Sequence, residues 1–220
     1  METISDSKIS AEFLGDREDW EAVAFVRCDF AGVNLRRLNF RGATFDHCQF
    51  NDESSEQPAD LSWADLRETV FTHCNLSMVE ACHCKAYEIA LEDCQMQGAD
   101  FSQADFLLPV GGTEMASASI QTCNLSWADF SHTNLNEATL SGCRMTETLL
   151  HGTNLQRACL QNNEMHNLAA EGLSLQGADL RGSIFNNLDP RLIDLSDVIM
   201  TPEQMVYLAH CLDIQLADLD

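Results

Sequence analysis

Between residues 115 and 185 an apolar side chain stands at every fifth position. The series is Met115, Ile120, Leu125, Phe130, Leu135, Leu140, Met145, Leu150, Leu155, Leu160, Met165, Ala170, Leu175, Leu180 and Phe185. Two places before these centres lie small residues, among them Ala118, Cys123, Ala128, Thr133, Ala138, Cys143, Thr148, Thr153 and Ala158. Between them the chain is polar, as at Asn124, Asp129, Asn134, Asn154 and Asp179. A helix repeats near 3.6 residues and a strand at 2. A period of five held this long fits neither, and sustained self-similarity points to a solenoid. Five residues make one side of a square coil: a short extended piece and a turn, with the large residue on the axis. Four sides close a coil of about twenty residues, and stacked coils pair backbone to backbone at ~4.8 Å. Each coil hides its apolar residues only between its neighbours.

The same grammar occupies two earlier stretches. The first is centred on Phe25, Phe30, Leu35, Phe40, Phe45 and Phe50. The second runs through Leu61, Leu66, Phe71, Leu76, Ala81, Ala86, Leu91, Met96, Phe101 and Phe106. The phase slips forward by one across the polar, proline-bearing segment 51–58, which reads as an outward loop. It slips back by one across residues 107–116, where Pro109 and the pair Gly111–Gly112 mark a turn or loop. Leu107, Leu108 and Val110 make that second loop apolar. It is either a contact surface or a loop folded onto the rod. Asn163, Leu168 and Leu173 are too large for the small slot, which suggests a widened coil there.

Residues 1–24 carry seven acids and two bases, with Phe13 and Trp20 as apolar anchors, and read as a cap over the first coil. Arg27, Arg36, Arg37 and Arg41 form a basic patch, expected to pair with that acidic cap. At the other end, Thr201-Pro202-Glu203-Gln204 has an N-cap, Pro at the first helical position and Gln three after the cap. Met205, Leu208, Ala209 and Leu212 follow at helical spacing. The apolar face of this helix either plugs the last coil or meets a second copy, as in a two-fold dimer. The division is therefore 1–24 cap, 25–200 solenoid and 201–220 helix and tail.

The units Ala-Asp-Leu-Ser-Trp (59–63), Ala-Asp-Leu-Arg-Glu (64–68), Ala-Asp-Phe-Ser-Gln (99–103) and Ala-Asp-Leu-Arg-Gly (178–182) resemble the pentapeptide repeat motif. The resemblance implies an all-β solenoid, the right-handed quadrilateral β-helix, here with two outward loops and a short C-terminal α-helix. A fold of this kind does not specify a function.

Chemistry for catalysis is missing. No phosphate loop, His-Glu-x-x-His or nucleophile elbow occurs, and a filled interior leaves no evident substrate pocket. No enzyme activity and no cofactor are expected. Cys82-His83-Cys84 invites a metal reading, but alternate residues of a strand face opposite ways and no second ligand pair follows. His47 and His73 each sit beside a repeat cysteine in the same way, and no metal is expected. Ten cysteines include three pairs twenty apart: 28 and 48, 74 and 94, 123 and 143. Stacked in adjacent coils they fall within disulfide range, yet in a reducing cytosol they serve as small apolar side chains. No signal peptide or run of eighteen apolar residues is visible, so a cytoplasmic protein off the membrane is expected.

The net charge of −23 repels nucleic acid and attracts basic partners. The thirty-one centres make nearly eight coils, or roughly 40 Å of rod. Residues 25–200 hold 24 acids and 10 bases, net −14, which is about one charge per 3 Å against ~1.7 Å for duplex DNA. The rod is a dilute electrostatic imitation of DNA. Two interrupting loops, a Leu-Asp-Pro-Arg segment at 188–191 and a terminal helix are similar to the Qnr-type quinolone-resistance branch of the family. That resemblance implies a homodimer of rods, joined through the helix at Met205, Leu208, Ala209 and Leu212, that binds DNA gyrase and topoisomerase IV and protects them from quinolones. It implies topoisomerase contacts on the two loops, at Asp52, Glu53 and Glu56 and at Leu107, Leu108, Val110, Gly111, Gly112 and Glu114. The alternatives are a general acidic interaction scaffold, or self-protection against a natural topoisomerase poison.

Overall fold

A computed structural model describes residues 2–51, 57–110 and 113–216, and of residues 108–110 and 113–115 it describes the backbone only. Asp52, Glu53, Glu56, Gly111 and Gly112 thus lie outside the described residues. In chain order the elements are β1 (Thr3–Ser5), α1 (Ala11–Leu14), β2 (Ala24–Val26), β3 (Thr44–Asp46), β4 (Val70–Thr72), β5 (Ile89–Glu92), β6 (Leu107–Val110), β7 (Thr113–Ala116), β8 (Ala118–Gln121), β9 (Thr139–Ser141), β10 (Glu164–Met165), β11 (Ile184–Phe185) and α2 (Pro202–Cys211). One parallel sheet runs β1-β2-β3-β4-β5-β8-β9, and a second joins β10 to β11. Single-residue parallel bridges continue the ladders on the other sides of each coil.

One column of centres shows the winding. Pairing stacks Ile4, Phe25, Phe45, Phe71, Leu91, Ile120 and Leu140. Bridges from Thr139 to Cys159, Asp179 and Ile199 carry the column to Leu160, Leu180 and Met200. Those ten rungs, nine steps of ~4.8 Å, make a rod of about 43 Å. Every five-residue centre from Phe25 to Phe106, and from Ile120 to Leu160, is buried. Phenylalanine rings fill the N-terminal half by stacking from coil to coil. Phe25 lies 4.9 Å from Phe45, Phe45 lies 4.8 Å from Phe71, and Phe30 lies 4.8 Å from Phe50.

The polar half of the motif has its own structural cause. The Asp or Asn before each centre accepts a hydrogen bond from the backbone N–H two residues on, as Asp60 does from Ser62 (2.9 Å), Asp100 from Ser102 (2.8 Å) and Asn154 from Gln156 (3.0 Å). These side chains close the corners as Asx turns. Residues two after the centre take a left-handed backbone, among them Trp63, His73 and Glu147. At one such corner Gly98 leaves room for the Met78 side chain, whose Sδ lies 2.6 Å from where a Cβ would stand.

The two interruptions are larger than the phase reveals. Phe45 to Phe71 spans 26 residues and Leu91 to Ile120 spans 29, against twenty for a plain coil. The insertions are therefore six and nine residues. A period of five shows only the remainders, plus one and minus one. The first lies between Phe50 and Ala59, whose N–H donates to the Phe50 carbonyl at 2.9 Å. The second lies between Phe106 and Ser117, and it corrects the loop reading of 107–116. Leu107 pairs with Ala116, Leu108 with Met115, Pro109 with Glu114 and Val110 with Thr113 in an antiparallel hairpin. A two-residue Gly-Gly connection between apolar and β-branched runs favours a hairpin, and a two-stranded ribbon is all edge, where Pro109 is tolerated. Met115 consequently belongs to the hairpin, and the third run of centres starts at Ile120.

The N-terminal segment joins the stack. β1 pairs with β2, Asp19 bridges to Asn39, and Trp20 is buried. Of the four arginines of the basic patch only Arg27 pairs with this segment, through Asp6 at 2.6 Å. Arg36 pairs down the rod with Asp60, and Arg41 with Glu68. Arg37 makes no ion pair among the described residues. The acidic cap neutralises less of the patch than expected because the next coil supplies carboxylates at closer register.

All ten cysteines are free thiols. The three pairs seen at twenty-residue spacing are one continuous file: Cys28, Cys48, Cys74, Cys94, Cys123 and Cys143 occupy successive rungs of one column. The insertions, at spacings of 26 and 29, hid that continuity. Burial pushes the Cys143 thiol up to about 11 and raises Cys84 as well. Next in the file, Asn163 accepts from the Cys143 N–H at 2.7 Å and donates to the Leu140 carbonyl at 2.8 Å. Near the oversized residues Leu168 and Leu173, side chains replace backbone pairing. Asn186 accepts from the Asn167 N–H at 2.8 Å, and Asn187 donates to the Leu168 carbonyl at 2.6 Å.

Candidate partner-binding surfaces

The side of the rod bearing the bridges Asn34–Asp60–Glu80–Asp100–Asp129 presents carboxylates on four successive coils. Among the described residues only Asp60 of these has an ion pair, with Arg36 at 3.0 Å. The neighbouring ladder, Asp65–Lys85–Asp105, is interrupted by a base. Asn closes the same corners as well as Asp does, at Asn34, Asn75, Asn124 and Asn154. The negative charge is therefore an added choice, not a need of the fold. At the corners flanking the four-carboxylate ladder, Trp63, Met78 and Trp127 are exposed. Trp63 stacks on His83 with centroids 4.3 Å apart, and Trp127 donates to Glu147 at 3.2 Å. His83 is thus committed to an aromatic stack, Cys84 to the core and Cys82 to Ser62 Oγ at 3.4 Å, so the Cys-His-Cys triplet diverges. Farther along, the Arg181 guanidinium, 2.6 Å from Asp179, holds that carboxyl well below the usual carboxylate range.

The hairpin β6–β7 brings Leu107, Leu108, Val110 and Glu114 into one two-stranded ribbon, with Leu107 half-buried at its base. The other residues singled out by sequence for topoisomerase contact fall outside the described residues.

At the C-terminal end α2 forms as its capping signals require. Thr201 Oγ1 accepts from the Gln204 N–H, and Gln204 Oε1 accepts from the Thr201 N–H at 2.8 Å. Gln204 does more than the sequence showed. Its Nε2 donates to the carbonyls of Leu180 (2.6 Å) and Ser183 (2.7 Å), which ties the helix to open backbone of the last full coil. Tyr207 stands edge-on to Phe185 at 5.3 Å and Leu208 is buried. One side of the helix therefore covers the rod. Its other side, with Pro190, Leu195 and Met200, lines an open apolar groove of about 700 Å³. Met205 and Leu212 are exposed in it, beside Ile214 and Leu216. All four residues named for self-association border this groove, Leu208 buried against the rod, Ala209 half-buried, and Met205 and Leu212 exposed. Among the described residues no helix is long and apolar enough to cross a membrane.

A family model described as pentapeptide repeats matches residues 24–52, 59–84 and 123–162 in eight copies. Part of what it omits is the two insertions. The chain is 35% identical over 118 residues to the quinolone resistance pentapeptide repeat protein QnrB96 of Scandinavium goeteborgense, covering 53% of each protein. It is 32% identical over 126 residues to the pentapeptide repeat protein QnrB4 of Escherichia coli, covering 57% of this chain and 55% of that one. These matches span about half the length of the curated relatives. The solved structure of full-length QnrB1, a plasmid-mediated fluoroquinolone resistance protein, superposes with a TM-score of 0.62 at 28% identity, over 96% of this chain and 97% of the other. A second QnrB1 structure, trypsin-treated, gives 27% identity and 0.62 over 99% of both chains. The architecture is the right-handed quadrilateral β-helix that the repeats imply.

Proposed function

We propose that this chain, a pentapeptide repeat protein, is a non-catalytic quinolone-resistance protein that binds DNA gyrase and topoisomerase IV in the cytoplasm and protects them from the drug. The observation that carries the reading is the ladder Asp60–Glu80–Asp100–Asp129, a carboxylate-bearing residue on each of four successive backbone rungs ~4.8 Å apart. Such a line suits a protein surface built to hold the phosphates of DNA. Similarity to QnrB96 and QnrB1, both described as quinolone resistance proteins, supports the choice of partner. The hairpin β6–β7 reaches a domain beside the DNA-binding groove, and the segment 51–58, read from the sequence alone, is assigned as a second contact. Two rods joined at α2 extend the imitation to nearly twice the length.

Binding of this kind depends on salt. Affinity for gyrase is expected to fall steeply and log-linearly between low and physiological salt, and linear duplex DNA is expected to compete for the site. Titration of labelled protein with gyrase checks this; binding indifferent to salt and DNA would remove the mimicry. For the dimer, Met205→Asp with Leu212→Asp buries two charges in the proposed apolar contact, while both positions are exposed in the single chain. The double variant is expected to run as a folded species of half the parent mass by light scattering. An unchanged mass would place self-association elsewhere.

A further inference from the structure

We propose that Asp46, His47 and His73 form a binding site for one divalent transition-metal ion of the zinc, nickel and copper class, clamped between two successive coils. Asp46 ends β3 and pairs with Thr72 of β4, so His47 and His73 occupy the same corner on adjacent rungs. Both corners have the left-handed backbone, φ 53 and φ 54, and the rings stack with centroids 4.5 Å apart at 26°. Each ring turns its Nδ1 to the same carboxylate. Asp46 Oδ1 lies 2.8 Å from Nδ1 of His47 and 3.6 Å from Nδ1 of His73. Ligand atoms of all three residues lie within 4.8 Å of one another. A tetrahedral ion with bonds of ~2.05 Å needs donors about 3.3 Å apart, so small side-chain rotations complete the set.

A second carboxylate stands beside the three donors. Asp93, on the next coil, lies 3.7 Å from Nε2 of His73. A carboxylate on the far side of the ring from the donor nitrogen is the usual outer-shell arrangement for a ligating histidine. Arg27, one rung away in the same corner column, is engaged by two bonds to Asp6 at 2.6 and 2.7 Å. Beneath the corner the backbone is fixed by buried Phe45, Cys48, Phe71 and Cys74. The exposed side of His47 leaves a fourth position for water. Two imidazoles and one carboxylate suit zinc, nickel or copper and not magnesium or calcium. The ion would staple the two ends of the 26-residue coil that carries the first insertion.

The test uses the full-length chain without an affinity tag. Calorimetric titration with zinc and with nickel is expected to give one ion per chain at neutral pH, and magnesium none. His47→Ala or His73→Ala should weaken binding at least about tenfold, whereas His83→Ala and His132→Ala should not. Binding should weaken as the solution is acidified, because protons and the metal compete for the same ligand atoms. Zinc should also raise the thermal midpoint of the parent and leave that of His73→Ala unmoved. No heat at metal concentrations of about 100 µM, or equal binding by the histidine variants, would overturn the proposal.

Discussion

Phe45→Ala is expected to cost about 3–5 kcal/mol of stability, the range for emptying a fully packed aromatic site. Phe45 is buried at the centre of the aromatic column, with ring centroids of Phe25, Phe30, Phe40, Phe50 and Phe71 all within 5.6 Å. The coils above and below hold their spacing through paired backbone, so they cannot collapse into the void. Because total stabilities are of order 5–15 kcal/mol, a loss of this size moves a urea midpoint far. In a solenoid the damage also uncouples neighbours, since each coil is held only by the next. Leu192→Ala, at a side chain 84% exposed, should shift the same curve by no more than about 0.5 kcal/mol. Equal shifts for the two variants would contradict the packing account.

Excising residues 107–115 is expected to leave the rod intact and abolish protection. The insertion is nine residues, so removing nine returns a twenty-residue coil. Phe106 then runs directly into Ala116, Ser117 and Ala118, which places Ala118 in the small slot beside Ile89. Circular dichroism and the thermal midpoint should stay close to the parent, while drug rescue in the gyrase assay falls to background. Deleting ten residues instead moves every later side chain by one position and should destabilise the whole C-terminal half. A nine-residue deletion that unfolds the chain would show that the hairpin is part of the rod's support.

Most of the fold is legible in the sequence because the β-helix imposes a local rule. Each centre, such as Leu66 or Phe101, meets the same surroundings as the next, so five residues suffice to state the pattern. What the sequence hid lies where that rule is interrupted. A period of five reports insertion length only as a remainder, so six and nine residues looked like shifts of one. The hairpin at 107–116 was masked by Pro109 and by Met115, which keeps the five-residue count by coincidence. The cysteine file was split into pairs for the same reason. On the surface, Asp and Asn serve the Asx turn equally, so the repeat motif alone does not separate carboxylates that close corners from carboxylates that face a partner. The stacking of bridges on one side of the rod makes Asp60, Glu80, Asp100 and Asp129 a line. Gln204 reads as half of a capping box, yet the two hydrogen bonds from its side-chain amide to the last coil depend on contacts 21 and 24 residues away. The pairing of His47 with His73 likewise exists only across the 26-residue coil.

The most direct measurement of the central claim is supercoiling by purified DNA gyrase at an inhibitory concentration of ciprofloxacin, with the intact chain, with the 107–115 excision and without either. The account predicts that the intact chain restores supercoiling in a dose-dependent way and that the excised chain, though folded, does not. Inhibition unchanged by the intact chain would contradict it, and would leave the acidic ladder to an interaction scaffold with a different basic partner.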